Sequence, residues 1–171
     1  MTPSATAFRA PLSQRVLATS VLGTVVLLLE TALMLGLSLF APTPASTIFL
    51  AVALALIALL ALMWLLAIRG YRIEGGRLYV DRPLWSSSHS LDGLRSVARD
   101  DTAMRFTWLG FGNNGFFALN GWRKIEPYGW CRVLATRTED PVVLATAAAT
   151  YVVTPDRPDE FVQQAQALAR G

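Results

Sequence analysis

Between Val16 and Ile68 the chain carries a single charged residue, Glu30, whereas from Arg69 onward charges recur every few positions. The uncharged stretch divides into residues 16–40 and 47–68, separated by Ala41-Pro42-Thr43-Pro44-Ala45-Ser46. A helix needs ~20 apolar residues to cross a ~30 Å hydrocarbon layer. The two segments, 25 and 22 residues long, both suffice, with tilt available to the first. Two prolines stop the first helix, and Ser46 or Thr47 can cap the second. Six intervening residues permit only a tight antiparallel return. The chain is therefore expected to hold a two-helix transmembrane hairpin, residues 16–68, between an N-terminal tail, 1–15, and a soluble domain, 69–171.

A cleaved signal peptide fits poorly, although Arg9 and Arg15 resemble its charged region and Thr43-Pro44-Ala45 its cleavage site. Signal cores run to ~7–15 residues, and here a second span follows at once. Orientation follows from flanking positive charge. Arg9 and Arg15 precede the first span, Arg69 and Arg72 follow the second, and the loop is uncharged. Both termini are expected in the cytoplasm. Phe40 and Phe49 bracket the outer loop, and Trp64 and Tyr71 suit the inner interface, where amphipathic rings gather.

Glu30 sits near the middle of the first span, at a cost of ~2.5–3.5 kcal/mol on insertion scales. Nine leucines and four valines in that span outweigh it, each returning up to ~0.3–0.6 kcal/mol. The second span offers no Arg, Lys or His, so its partner is a hydroxyl, another chain's helix, a bound ion or pigment, or a proton. Small residues favour close helix packing in lipid. Ala32 and Gly36 on the first span, and Ala51, Ala55, Ala58 and Ala61 on the second, suit contact within the hairpin.

The net charge of +3 is almost wholly arginine, with Lys124 the only lysine. Outside the hairpin flanks the basic residues mingle with acids, as in Arg99, Asp100, Asp101 and Arg105. That is a solvated surface rather than the basic stripe of a nucleic-acid binder, and no nucleic acid is expected as a partner. One cysteine, Cys131, excludes an intrachain disulfide. Its apolar setting, Trp130-Cys131-Arg132-Val133-Leu134, marks it as a core residue.

Behind the hairpin, short apolar runs alternate with turns. Tyr71-Arg72-Ile73 and Arg77-Leu78-Tyr79-Val80 flank Glu74-Gly75-Gly76, a hairpin signature. Further strands are expected at 85–91, 105–109, 116–122, 130–136, 142–146 and 150–154, with turns at Asp81-Arg82-Pro83-Leu84 and Asp92-Gly93. An irregular segment is expected at 95–104 and a glycine-rich loop at 110–115. Then Thr154-Pro155-Asp156-Arg157-Pro158-Asp159-Glu160 opens a helix. Phe161, Val162, Ala165 and Leu168 fall on its apolar face; Gln163, Gln166 and Arg170 fall opposite, with Gln164 at the border. Residues 71–171 are expected to fold on their own.

The ordered set Tyr71-Arg72-Ile73-Glu74-Gly75-Gly76-Arg77-Leu78, Arg82-Pro83-Leu84-Trp85, Phe111-Gly112-Asn113-Asn114-Gly115-Phe116-Phe117, Thr154-Pro155-Asp156 and Asp159-Glu160-Phe161-Val162 resembles the bacterial pleckstrin-homology (PH) domain family. In that family such a domain often follows two membrane spans. The resemblance covers roughly residues 69–169. It implies an α+β membrane protein of the bacterial inner membrane: a transmembrane hairpin, then a PH-like antiparallel β sandwich or barrel capped by a C-terminal helix. It implies no activity.

No catalytic or metal-binding constellation stands out. His89, the only histidine, is expected at the surface in a serine-rich strand, and no Cys/His cluster offers a zinc site. The segment 110–115 lacks the Lys-Ser/Thr of a phosphate-binding loop. Gly112, Asn113, Asn114 and Gly115 are candidates for a loop contact. PH domains that bind phosphoinositides carry basic residues at the first hairpin turn, which here is acidic and small. Trp122, Arg123 and Lys124, with Trp64, Arg69 and Arg72, are candidate membrane-surface contacts, at ~1 kcal/mol per charge near an anionic surface.

The function expected is non-enzymatic, with no cofactor: a membrane-anchored scaffold that presents a protein-binding domain to the cytoplasm. Membrane lipids and a protein partner or larger membrane complex are the expected partners. One alternative is an accessory subunit docking through the hairpin and Glu30, with Ala32 and Gly36 beside it. Another is an oligomeric ion or proton pathway.

Overall fold

The computed structural model describes residues 6–104 and 110–169. Its two long helices are α1 (Gln14–Phe40) and α2 (Ala45–Leu65), both long and apolar enough to cross a membrane. Ser13 sets the start of α1, its hydroxyl accepting the Val16 amide at 3.2 Å. The second helix stops three residues short of the expected Ile68, because Ala67 and Ile68 turn into the core of the following domain.

The helices pack antiparallel along a seam of 3- and 4-residue spacing. Leu27, Thr31, Met34 and Ser38 are the shielded positions of α1; Phe49, Ala53, Leu56, Leu60 and Met63 are those of α2. The small residues expected at this contact lie elsewhere. Ala32, Ala51, Ala55, Ala58 and Ala61 are exposed, and a side chain added at Gly36 would meet nothing. Thr31 and Ala53 are the buried residues midway along the two helices. The remaining surface is largely apolar, Glu30 being its one charged residue between Val16 and Leu65, with Leu22 and Leu29 each 66% exposed on α1.

The domain begins before the hairpin. Residues 7–9, read from the sequence as tail, form β1 (Ala7–Arg9). It pairs antiparallel with β2 (Gly70–Glu74), which continues to β3 (Arg77–Asp81) and β4 (Ser86–Ser90) in a four-stranded sheet. Gly75 and Gly76 both have positive φ, 54° and 71°, as a two-residue hairpin turn demands. A second sheet has the order β5-β9-β10-β8-β7-β6. Its strands are β5 (Ser96–Arg99), β6 (Gly110–Asn114), β7 (Leu119–Ile125), β8 (Gly129–Ala135), β9 (Val142–Ala145) and β10 (Thr150–Val153). Helix α3 (Pro158–Ala169) follows.

Three expectations for the sheets change. The second sheet is not wholly antiparallel: β10 inserts between β8 and β9 and runs parallel to β8. The irregular stretch contains β5, recruited as a partner for β9. The glycine-rich loop is largely strand, because Gly112 and Gly121 face each other across β6 and β7. A Cβ on either would collide with the facing backbone, so glycine here allows close approach rather than disorder. The turn shifts to residues 115–118, and β7 starts at Leu119 rather than Phe116. The strand expected at 105–109 and Arg170 lie outside the described residues.

The central strands β8, β9 and β10 contribute to clusters on both faces of the second sheet, which explains their near-continuous apolar runs. One face joins the four-stranded sheet and α3 around Phe8, Tyr71, Leu78, Leu134, Leu144 and Phe161. The other gathers Cys131, Val133, Val143, Val152 and Met104, and Val16 from the base of α1 joins them. Cys131 is fully buried, and burial pushes its thiol up to about 11. Tyr71, expected at the membrane interface, is instead a core residue whose hydroxyl donates to the Leu134 carbonyl at 2.7 Å. Leu168 is 39% exposed, so the buried stripe of α3 narrows to Phe161 and Ala165. Gln164 and Gln166 reach the Ile73 and Val97 carbonyls, bridging the two sheets. His89 is half-buried rather than superficial, its ring 5.2 Å from that of Tyr151.

Candidate interface where the hairpin enters the domain

Both ends of the hairpin are built into the domain. On the N-terminal side, Phe8 sits in the core, edge-on to Phe161 at 5.1 Å. The Arg9 amide donates to Asp156 at 3.0 Å, and the Thr136 hydroxyl donates to the Pro11 carbonyl at 2.8 Å. On the C-terminal side, the buried Arg82 guanidinium donates to the Leu66 carbonyl just past α2 and lies 5.0 Å from the Trp85 ring. That donor satisfies a carbonyl that the end of a helix leaves open.

A third contact comes from the β6–β7 turn. Asn113 shapes it, its side-chain oxygen accepting the Gly115 and Phe116 amides at 3.2 and 2.9 Å. Its amide nitrogen lies 3.9 Å from the Met63 sulfur of α2. Phe117 holds φ +61°, a conformation uncommon for a bulky side chain. The Ser20 hydroxyl of α1 accepts its amide at 2.8 Å and donates to Val16 at 2.6 Å. Ser20 is 2% exposed, and Phe116 covers Gly23 one turn further on.

Where the two ends of the hairpin enter the domain lies an open cavity of about 570 Å³ whose walls include Arg9, Leu12, Trp64, Ile68, Arg69 and Phe117. A groove of about 320 Å³ shares Leu12 and Phe117 with it and runs up α1 past Leu17, Val21 and Val25. The arginines divide into paired and unpaired. Arg72, Arg99, Arg137 and Arg157 each pair with carboxylates. Among the described residues, Arg9, Arg15 and Arg69 pair with none. The unpaired ones are not confined to the cavity, since Arg77, Arg82, Arg95 and Arg132 also make no ion pair among the described residues.

Of the membrane-surface candidates, the structure brings Trp64 and Arg69 together at this cavity. Arg72 is committed to Asp81, at 2.9 Å, and holds that carboxyl below its usual range. Trp122, Arg123 and Lys124 lie on β7, at the opposite end of the β6–β7 ladder from the turn that touches α1. Trp122 stacks with Arg132 at 5.6 Å. Of the loop candidates, Gly112, Asn113 and Asn114 belong to β6, and Gly115 opens the turn that the Asn113 side chain shapes. Ala32 is exposed and Gly36 unpacked. Glu30 is also exposed, and among the described residues its carboxylate has no partner. Sequence reasoning missed Leu12, Ser20 and Phe117. The adjacent phenylalanines after a glycine-rich run were the available signal, since a turn rarely carries two large apolar side chains unless something covers them.

The exposed apolar side chains Leu84, 75% exposed, and Trp85, 48% exposed, stand at the β3–β4 turn beside the end of α2. A family model for the bacterial PH domain matches residues 69–169. No curated protein and no solved structure matches the chain. The matched span opens at the hairpin exit and covers more than half of the chain, from the first glycine-turned hairpin to α3. The chain belongs to the bacterial PH-domain family.

Proposed function

We propose that this chain is a membrane-anchored binding module in which the hairpin spans a bilayer and holds the PH domain against one face. The single observation that carries this reading is the surface of α1 and α2. Both present large apolar side chains outward along their length, as Leu22, Leu29, Ile48 and Leu54 do. A helix apolar all round needs a nonpolar surround, and the domain covers only the base of α1. The pairing of β1 with β2 supports placing both helix ends on the same side of the bilayer. Arg9, Arg15 and Arg69 around that end, against an uncharged loop, favour the cytoplasmic side. Membership of the PH family supports a binding role over a catalytic one.

The test is cysteine labelling in intact cells. Thr43→Cys should react with an impermeant reagent, and Ser88→Cys, on exposed β4, should not. Cys131 is too buried to report on either side. Labelling at position 88 would overturn the orientation, and chain recovered in the soluble fraction would overturn the membrane reading.

One observation favours a second reading, that of an accessory subunit. Glu30 is exposed on α1 and makes no hydrogen bond or ion pair with α2, which favours a polar partner from outside the hairpin. A helix of another chain is the simplest source.

A further inference from the structure

We propose that the junction of hairpin and domain binds one anionic glycerophospholipid, with its phosphate at Arg9 and Arg69 and an acyl chain along Leu17, Val21 and Val25. The inference rests on the bilayer-spanning reading above and goes beyond it by assigning a ligand and a place.

Charge complementarity selects the occupant. Arg9 lies in register with Gly70, and the Ala10 amide bonds the Arg69 carbonyl at 3.2 Å, so the two arginines are neighbours at the root of the β1–β2 pair. Both line the same cavity, and neither guanidinium has a carboxylate partner among the described residues. Two such groups match the oxygens of a phosphate diester. The cavity is otherwise apolar and shares Leu12 and Phe117 with the groove on α1. Leu17, Val21 and Val25 follow one another at four-residue intervals, so the groove floor is a single stripe about 12 Å long at ~1.5 Å per residue. A charged mouth at the helix ends, continuous with an apolar track along the span, fits an amphiphile and not a free anion. Trp64 at the mouth is the residue type that settles at headgroup level. The site is separate from the first hairpin turn, Glu74-Gly75-Gly76, whose acidic side chain repels phosphate.

The full chain would be reconstituted into nanodiscs of phosphatidylglycerol and phosphatidylcholine in equal parts, then released into native mass spectrometry. The expected spectrum shows one retained phosphatidylglycerol per chain, about tenfold over phosphatidylcholine. Arg9→Gln with Arg69→Gln should bring the ratio close to one. Arg9→Lys with Arg69→Lys, which keeps the charge, should preserve most of the preference. Val21→Trp should reduce retention of both lipids by filling the groove. A wild-type ratio near one, a preference unchanged in the glutamine variant, or full displacement by inorganic phosphate would overturn the proposal while leaving the membrane reading intact. Failure of the chain to enter nanodiscs would overturn both.

Discussion

Ser20 joins two parts of the chain through one hydroxyl. It accepts the Phe117 amide at 2.8 Å while 2% exposed. Removing a buried partner costs ~1–3 kcal/mol, so Ser20→Ala should lower the thermal midpoint of the full chain in detergent. The loss should concentrate in hydrogen exchange at the β6–β7 turn, where Phe117 holds its strained φ. His89 makes a pH-dependent contribution. Burial, then the charges of Arg132, Arg82 and Arg77, hold its pKa below the ordinary 6.5. The unfolded chain therefore takes up the proton first as pH falls. Stability is full above about 6.5 and declines as pH drops below it. Melts at pH 7.5 and 5.5 should show a gap between midpoints that His89→Gln narrows. An unchanged gap would remove His89 as its source.

At the scale of elements, β1 changes what counts as the domain. Phe8 fills the core beside Phe161, itself fully buried, so a fragment starting at residue 69 or 71 lacks a wall of its own interior. Joining residues 6–13 to residue 69 through a flexible linker should restore a cooperative melt that the shorter fragment lacks. Equal melts for the two would show that β1 contributes no stability. Within the full chain, Phe161→Ala should cost roughly 3–5 kcal/mol. How far each element was legible follows from its surroundings. The Gly75-Gly76 hairpin and α3 were readable because their turn and cap residues act locally. β5 and β6 were not, because a partner strand, and not local propensity, makes them extended. β1 is three residues long and carries no periodic signal.

At the scale of the whole molecule, the hairpin is clamped at both ends to its domain, so on the membrane-spanning function proposed above the PH fold sits at a fixed distance from the bilayer rather than on a tether. Glu30 is the one charged residue exposed on the hairpin between Val16 and Leu65. Glu30→Gln keeps its shape and hydrogen bonding and should leave co-purification of any native complex unchanged. Glu30→Leu should improve insertion, relieving ~3 kcal/mol at mid-membrane, yet weaken association with a partner helix. A Leu variant that co-purifies at wild-type levels would remove the accessory-subunit reading.

By itself the amino-acid sequence determined the hairpin, the hinge prolines, the series of short strands and the terminal helix, because hydropathy and turn chemistry are local and additive along the chain. The buried place of Cys131 was legible for the same reason. Tertiary structure alone decided that the residues before the hairpin close the core behind it, and that Tyr71 is core and not interface. It also left Glu30 exposed and gathered Arg9, Trp64, Arg69 and Phe117, up to 108 positions apart in sequence, around one cavity. Those outcomes depend on which surfaces meet, and a one-dimensional pattern carries no record of that.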